Sequence, residues 1–223
     1  MRFGVLGTGM VGQAIATKLL ERGHEVTMGS RTKGNEKAVA WAHGKGAKAK
    51  TGTFADAVKS GEILFNCTLG AASMDALKSA GAAALGDKIL VDVSNPLDFS
   101  KGMPPTLFVS HSDSLAEQVQ RAFPRLKVVK SLNTMSAPIM VNPGHVPGDH
   151  TAFVAGNDAT ARERVSKLLQ TEFGWKPANV MDLGELSAAR GMEAGLLLWL
   201  RVWGALQHPN FNFHVAVGPK PTT

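Results

Sequence analysis

Only one cysteine, Cys67, occurs in the 223 residues. That excludes an internal disulfide and a cysteine-rich metal site. The seven histidines (His24, His43, His111, His145, His150, His208 and His214) show neither H-x-E nor H-x-x-x-H spacing, so no metal is expected. No serine nucleophile elbow with a following acid and histidine is found, and no carboxylates cluster as a pair; no catalytic side chain is assigned. The longest strongly apolar stretch, 194–206, is interrupted by Arg201 and is too short to span a bilayer. No basic-then-apolar leader precedes the first apolar run, which begins almost at Met1, and the expected location is the cytoplasm, without a membrane partner. Asn66-Cys67-Thr68 fits a glycosylation acceptor, but it falls in a predicted buried strand and is set aside. The net charge is +6, yet no aromatic-flanked basic strip accompanies it, and nucleic acid is not an expected partner. The nearest such stretch, 43–50, reads as a solvated helix end and an edge strand. No internal repeat is found.

What is present begins with the run Phe3-Gly4-Val5-Leu6, which reads as a buried parallel strand. Gly7, Gly9 and Gly12 follow in G-x-G-x-x-G spacing, and a helix with Ile15, Leu19 and Leu20 on its apolar face comes next. In that context each glycine has a physical role: Gly7 for the tight turn, Gly9 for close approach of a pyrophosphate, Gly12 for helix-on-strand packing. The helix N-terminus then faces the phosphates. Glu25–Met28 reads as the second strand and ends in Gly29-Ser30-Arg31-Thr32. An acid normally stands here to bind the ribose 2′-hydroxyl of NAD. An arginine flanked by two hydroxyls suits a 2′-phosphate instead, so NADP is the expected cofactor. Lys33 and Lys37 are expected to support that phosphate, and part of the positive charge serves anionic cofactors.

Further strands are expected at 47–50, 62–69, 88–93 and 126–132, with helices at 36–43, 53–58, 71–85 and from Ser112 or Asp113 through Phe123. Cys67 reads as a small buried side chain rather than a nucleophile. Six strand–helix alternations in about 140 residues give the pattern of a doubly wound parallel α/β sheet of the Rossmann type. Thr68-Leu69-Gly70, Ser94-Asn95-Pro96 and Asn133-Thr134-Met135-Ser136-Ala137 then lie at the carboxyl ends of strands, where such sheets bind ligands. After a Pro- and Gly-containing connector (142–150), strands at 151–156 and 179–183, a helix from Asp158 or Thr160, and a long helix from Leu186 to Leu206 complete the chain. That helix carries Leu196, Leu197, Leu200, Trp203 and Leu206 as an apolar stripe. Phe211–Val217 alternates as an edge strand would. The expected division is a dinucleotide-binding domain at 1–143 and a small C-terminal α/β segment at 144–223, which would supply a second-cofactor site and a dimer contact.

Taken together, Gly7-Thr8-Gly9-Met10-Val11-Gly12, Gly29-Ser30-Arg31-Thr32 and Val128-Val129-Lys130-Ser131-Leu132-Asn133-Thr134-Met135 resemble the NADP-dependent oxidoreductases of coenzyme F-420, a 5-deazaflavin. The same domain type serves as the reductase module of the STEAP metalloreductases, which use a flavin. The resemblance runs through 189–193 and 199–204. It implies Thr8, Gly9, Met10 and Val11 on the pyrophosphate, and Ser30 and Arg31 on the 2′-phosphate. Thr68 and Leu69 would flank the nicotinamide and the Ala137 amide would hold its carboxamide. The second ring, F-420 or a flavin (FMN or FAD), would stack near Asn133 and Met135. The chemistry implied is direct hydride transfer between two bound rings, with no protein acid or base. The archaeal enzymes carry a histidine where this chain has Asn133, which leaves the electron acceptor open. Two other readings compete: an NADP-dependent dehydrogenase of a small imine or hydroxy acid, and a non-catalytic NADP-binding sensor. A homodimer through the C-terminal segment is also expected.

Overall fold

The computed structural model describes residues 1–219. Alternating strands and helices give β1 (Arg2–Leu6), α1 (Met10–Glu21), β2 (Glu25–Ser30), α2 (Glu36–Ala42), β3 (Ala49–Thr53), α3 (Phe54–Ser60), β4 (Ile63–Asn66), α4 (Gly70–Ala80), α5 (Ala82–Leu85) and β5 (Ile89–Asp92). A hairpin of β6 (Leu97–Asp98) and β7 (Thr106–Leu107) follows, then α6 (Leu115–Ala122), β8 (Lys127–Ser131), α7 (Ala137–Val141), β9 (Ala152–Gly156), α8 (Ala159–Leu168), β10 (Val180–Asp182) and α9 (Ala189–Leu206).

Eight strands form one sheet in the order β3-β2-β1-β4-β5-β8-β9-β10. The first six are all parallel to their neighbours, and their order is that of a doubly wound dinucleotide-binding sheet. β9 runs antiparallel to β8, and β10 parallel to β9. The segment after the connector therefore extends the same sheet.

The strands read as continuous apolar runs because both sheet faces are covered. Phe3, Val5, Phe65, Val91 and Val129 join Ile15, Leu19, Trp41, Ile139 and Val165 in one core layer. Their strand neighbours Leu6, Leu64, Leu90 and Val128 pack with Val58, Leu77, Leu85, Val119 and Ala189 in the other. Alternation of side-chain direction along each strand puts consecutive residues in opposite layers.

Three local expectations are corrected and one hairpin is added. The helix expected over 71–85 is two helices, interrupted at Gly81, whose φ of 92° is in the region that favours glycine. α6 is capped by Ser114, not Ser112 or Asp113; its hydroxyl accepts from the Glu117 amide at 3.2 Å. The Gly- and Pro-rich loop after β5 contains the β6–β7 hairpin, with Leu97 opposite Leu107. Phe211–Val217 forms no strand. Phe211 instead stacks on Trp199 with ring centroids 5.2 Å apart, and the tail is held by the Thr151 N–H to Phe213 O bond at 2.8 Å together with bonds from the Val215 amide to the Thr151 hydroxyl and from Asn212 Nδ2 to the Thr151 carbonyl.

Ser114→Ala is expected to lower the unfolding free energy by about 1 kcal/mol, the usual cost of a lost N-cap. Ser112→Ala, on an exposed turn, should stay within about 0.5 kcal/mol. Urea unfolding of the two variants checks the assignment.

Candidate functional site

Because six strands are parallel, their carboxyl ends share one edge of the sheet. The turn from β1 into α1 is the tightest point there. Gly7 has φ 118° and donates its N–H to the Gly29 carbonyl at 3.0 Å. A Cβ on Gly7 would meet the Cys67 carbonyl oxygen at 2.5 Å, and one on Gly12 would collide with the Gly7 carbonyl oxygen. A Cβ on Gly9 would meet nothing within 4 Å, so the space above this residue is open. The first amides of α1 have no acceptor in the helix and no acidic side chain in the first turn. Gln13 Nε2 donates to the Thr8 carbonyl at 3.0 Å and holds the loop. Met10 is 84% exposed and Leu69 is 78% exposed; both are large apolar residues on this edge.

At the end of β2, Ser30 is buried and its hydroxyl donates to the Thr32 carbonyl at 2.7 Å, which shapes the turn that presents Arg31. Arg31, Thr32 and Lys33 are exposed. Among the described residues no carboxylate pairs with Arg31. Lys37 stands one turn further, on a hollow of about 440 Å³ between α1 and α2 that Gln13, Thr17, Trp41, His43 and Lys45 also line.

The other half of the edge is built from the exits of β4, β5 and β8. Leu132 adopts φ 61°, a left-handed conformation uncommon for leucine, and delivers Asn133 into contact with both Asn95 and α9. Two backbone carbonyls fix the orientation of both amides. Asn95 Nδ2 donates to the Asn133 carbonyl at 2.9 Å, so Asn95 Oδ1 is the atom that faces Asn133. Asn133 Nδ2 donates to that oxygen and to the Met192 carbonyl, each at 2.9 Å. Among the described residues Asn133 Oδ1 is left without a partner, as is Ser136 Oγ three residues on; both atoms are buried. Met135 is buried in the core layer that contains Leu132, Ile139 and Met140. Ala137 opens α7 and is half-buried.

Beneath these exits lies a charged cluster that the sequence reading passed over. Lys130, Asp92 and Glu193 are all within 1% of full burial. Lys130 Nζ donates to Asp92 Oδ2 and Glu193 Oε1, each at 2.9 Å, and to the Ser94 carbonyl. Its three protons thus have three acceptors. Glu193 also accepts from the amides of Leu115 and Ala116 at 2.8 and 3.1 Å, at the start of α6. Asp92 Oδ1 takes Asn66 Nδ2 at 2.8 Å and Ser94 Oγ at 2.7 Å. Asn66 Oδ1 in turn takes the Thr68 hydroxyl at 2.7 Å.

Burial pushes the Glu193 carboxyl above its ordinary range, and the Asp92 charge adds to that against the pull of Lys130. Burial alone would discharge Lys130, but the two carboxylates outweigh it and hold the ammonium charged. Burial, then the Asp92 charge, raises the Cys67 thiol far above its usual value, which fits a side chain that packs rather than attacks.

The family described as NADP oxidoreductase, coenzyme F420-dependent, matches residues 2–96. A solved protein of Arthrobacter sp. FB24, whose name assigns it F420-dependent NADP reduction, is 48% identical, with 97% of this chain and all of that one covered at a TM-score of 0.91. This chain belongs to that family of NADP-dependent oxidoreductases. Metalloreductase STEAP3 of Rattus norvegicus is 32% identical over 91% of this chain, which spans 38% of that protein's length. An imine reductase of Myxococcus stipitatus, solved with NADP+, is 20% identical over 93% of this chain and 64% of its own, with a TM-score of 0.64; that likeness is one of fold. Among the described residues no helix is long and apolar enough to cross a membrane, and no cluster of His, Cys, Asp or Glu could hold a metal.

Asp92, Lys130 and Glu193 carried one legible signal. Each is a charge at an inward position of an otherwise apolar strand or helix, and such a charge must find a partner. The partners are 38 and 63 positions from Lys130, too far apart for any local pattern.

Because the Glu193 carboxyl titrates higher folded than unfolded, the folded state retains a proton that the unfolded chain gives up. The corresponding stability is present at low pH and is lost as pH rises above the ordinary carboxylate value of 4.5 through the raised folded value. Glu193→Gln should flatten that decline. Thermal unfolding of both proteins across this pH range tests it; parallel curves would contradict the assignment.

Proposed function

We propose that the chain transfers hydride between NADPH and a deazaflavin (F-420) or a flavin (FMN or FAD). The observation that carries this is the pairing, on one sheet edge, of a dinucleotide turn ending at an unpaired arginine with a second, polar half at β8. The residues fit both groups. Gly9 leaves open space beside the free amides of α1, where Thr8, Met10 and Val11 would also meet a pyrophosphate. Arg31, with Ser30, Thr32 and Lys37 beside it, would hold a 2′-phosphate through charge-assisted bonds. Thr68 and Leu69 would flank the nicotinamide, with the Ala137 amide on its carboxamide. Asn133, fixed by Asn95 and carrying an unpartnered Oδ1, would face the second ring beside Met135.

When bound, the two cofactors would supply a two-electron hydride transfer from the dihydronicotinamide to the acceptor ring, with the balancing proton coming from solvent. The protein's part is to bind and align the two rings and keep water from between them, which needs no side-chain acid or base. The 48% identical Arthrobacter protein, by its name, supports F-420 as the acceptor; the STEAP3 likeness supports a flavin.

We further infer a homodimer through α9, in the cytoplasm. Trp203 and Leu206 continue the buried stripe of Met192, Leu196 and Trp199 toward the end of the helix but are exposed, as is Leu198 on another side.

Arg31→Ala should weaken NADPH binding by about 1–3 kcal/mol and leave NADH almost unchanged, because only a bond to the 2′-phosphate is lost. Equal losses for both cofactors would sink the NADP assignment. NADPH oxidation with F-420, FMN and FAD offered separately tests the acceptor. Fast turnover with one of them is the expected result; turnover only with small imines, or NADPH binding without turnover, would replace this reading. Light scattering at micromolar concentration should give twice the chain mass, and a monomer would remove the dimer.

A further inference from the structure

The Lys130–Asp92–Glu193 cluster is an expensive way to fill a core. Removing three charged groups from water costs several kcal/mol per ion, and apolar side chains of similar volume are often as stable or more so. What such a cluster provides that apolar packing does not is direction. Each bond fixes an angle as well as a distance, and Lys130 has no donor left over to rearrange.

The bonds also lead somewhere. One arm runs from Lys130 through Asp92 and Asn66 to the Thr68 hydroxyl at the exit of β4. A second runs along α9: Glu193 is anchored by Lys130 and the α6 amides, and the preceding residue, Met192, offers its carbonyl to Asn133. A third passes from Asp92 to Ser94, next to Asn95, whose side chain grips both the backbone and the amide of Asn133. The exits of β4, β5 and β8 and the start of α9 are therefore one cross-linked unit. The glycine turn and the Ser30–Thr32 turn, which belong to β1 and β2, are held by their own backbone and side-chain bonds and take none from the cluster.

We propose that Glu193, acting through Lys130 and Asp92, is a positioning residue for the acceptor half of the site: it locks α9 onto the sheet so that Thr68 and Asn133 are set at a fixed mutual orientation, independently of the adenosine half. This rests on the reading of the site given under the proposed function. Ring-to-ring hydride transfer depends steeply on alignment, and a displacement near 1 Å can cost about a hundredfold in rate. Glu193→Gln turns one acceptor oxygen into a donor facing the Lys130 ammonium. With nitrogen in place of Oε1 it removes the tie to Lys130 and the bond from the Ala116 amide to the same atom, while leaving an oxygen for the Leu115 amide; burial already favours the uncharged form of this side chain.

Three measurements on the full chain test the proposal. Amide hydrogen exchange should speed up about tenfold or more over 132–137 in Glu193→Gln and stay unchanged over 3–12. NADP+ affinity should remain within about twofold. With saturating NADPH and FMN, or F-420 if only that acceptor is used, single-turnover NADPH oxidation should fall about tenfold. It should fall further in Glu193→Ala, so that glutamine partly rescues. Unchanged exchange over 132–137 would overturn the proposal. So would a rise over both segments together with weaker NADP+ binding, which would mark a general structural role. If exchange responds as stated while the wild type reduces no acceptor at all, the positioning stands and the hydride-transfer reading fails.

Discussion

The β1–α1 turn sets the geometry on which the rest of the edge depends. Three backbones meet there with no side chain between them. The Gly7 amide is bonded to β2 through Gly29, its missing Cβ leaves room for the Cys67 carbonyl at the exit of β4, and Gly12 rests against the Gly7 carbonyl. With a Cβ at either residue, α1 would have to begin further from the sheet. Because it begins so close, its first amides face the point where strand order reverses between β1 and β4, and the helix dipole is focused there. The space above Gly9 is left open.

This part of the protein was legible in the sequence because its determinants are local. A glycine spacing, the strand before it and the cation after β2 all fall within about 30 residues, the span of one βαβ unit. Strands were legible for a related reason: burial on both faces leaves unbroken apolar runs. Helix ends were less so. Ser112, Asp113 and Ser114 are all good caps by type, and the choice of Ser114 is made from outside the segment. Glu193, 78 positions away from Leu115, occupies the next two amides of α6 and fixes where the helix starts. The tail from Phe211 fails as a strand for a similar reason. Its alternating aromatic side chains find ring partners, Trp199 above all, and little ladder is left to form.

The half of the edge at the exits of β4, β5 and β8, the proposed acceptor side, was legible in outline only. Asn133 and Ala137 could be placed at the end of β8, but what holds them could not. Asn66, Asp92, Lys130 and Glu193 come from two neighbouring strands, a third strand beyond them and a helix near the chain's end. Each looks locally like an isolated polar residue in an apolar run. The structure turns these isolated polar residues into one network, whereas the turns after β1 and β2 are shaped by backbone geometry and by the short-range bonds of Gln13 and Ser30.

That contrast has a physical basis in what each half would do under the proposed function. A phosphate is a compact, nearly symmetric anion, and free amides with a nearby guanidinium hold it through charge, which tolerates small displacements. Two stacked rings exchanging hydride tolerate far less, since the reacting atoms must stay near contact distance in one relative orientation. Apolar packing restrains distance well and rotation poorly. A buried amide whose donors are both taken, as in Asn133, is restrained in rotation as well, because turning it would set its oxygen against the Met192 carbonyl and the Asn95 oxygen. Under the proposed function, the cost of burying Lys130, Asp92 and Glu193 falls on the side of the site where orientation would govern the rate, and among the described residues no comparable charge is buried on the side that would only bind.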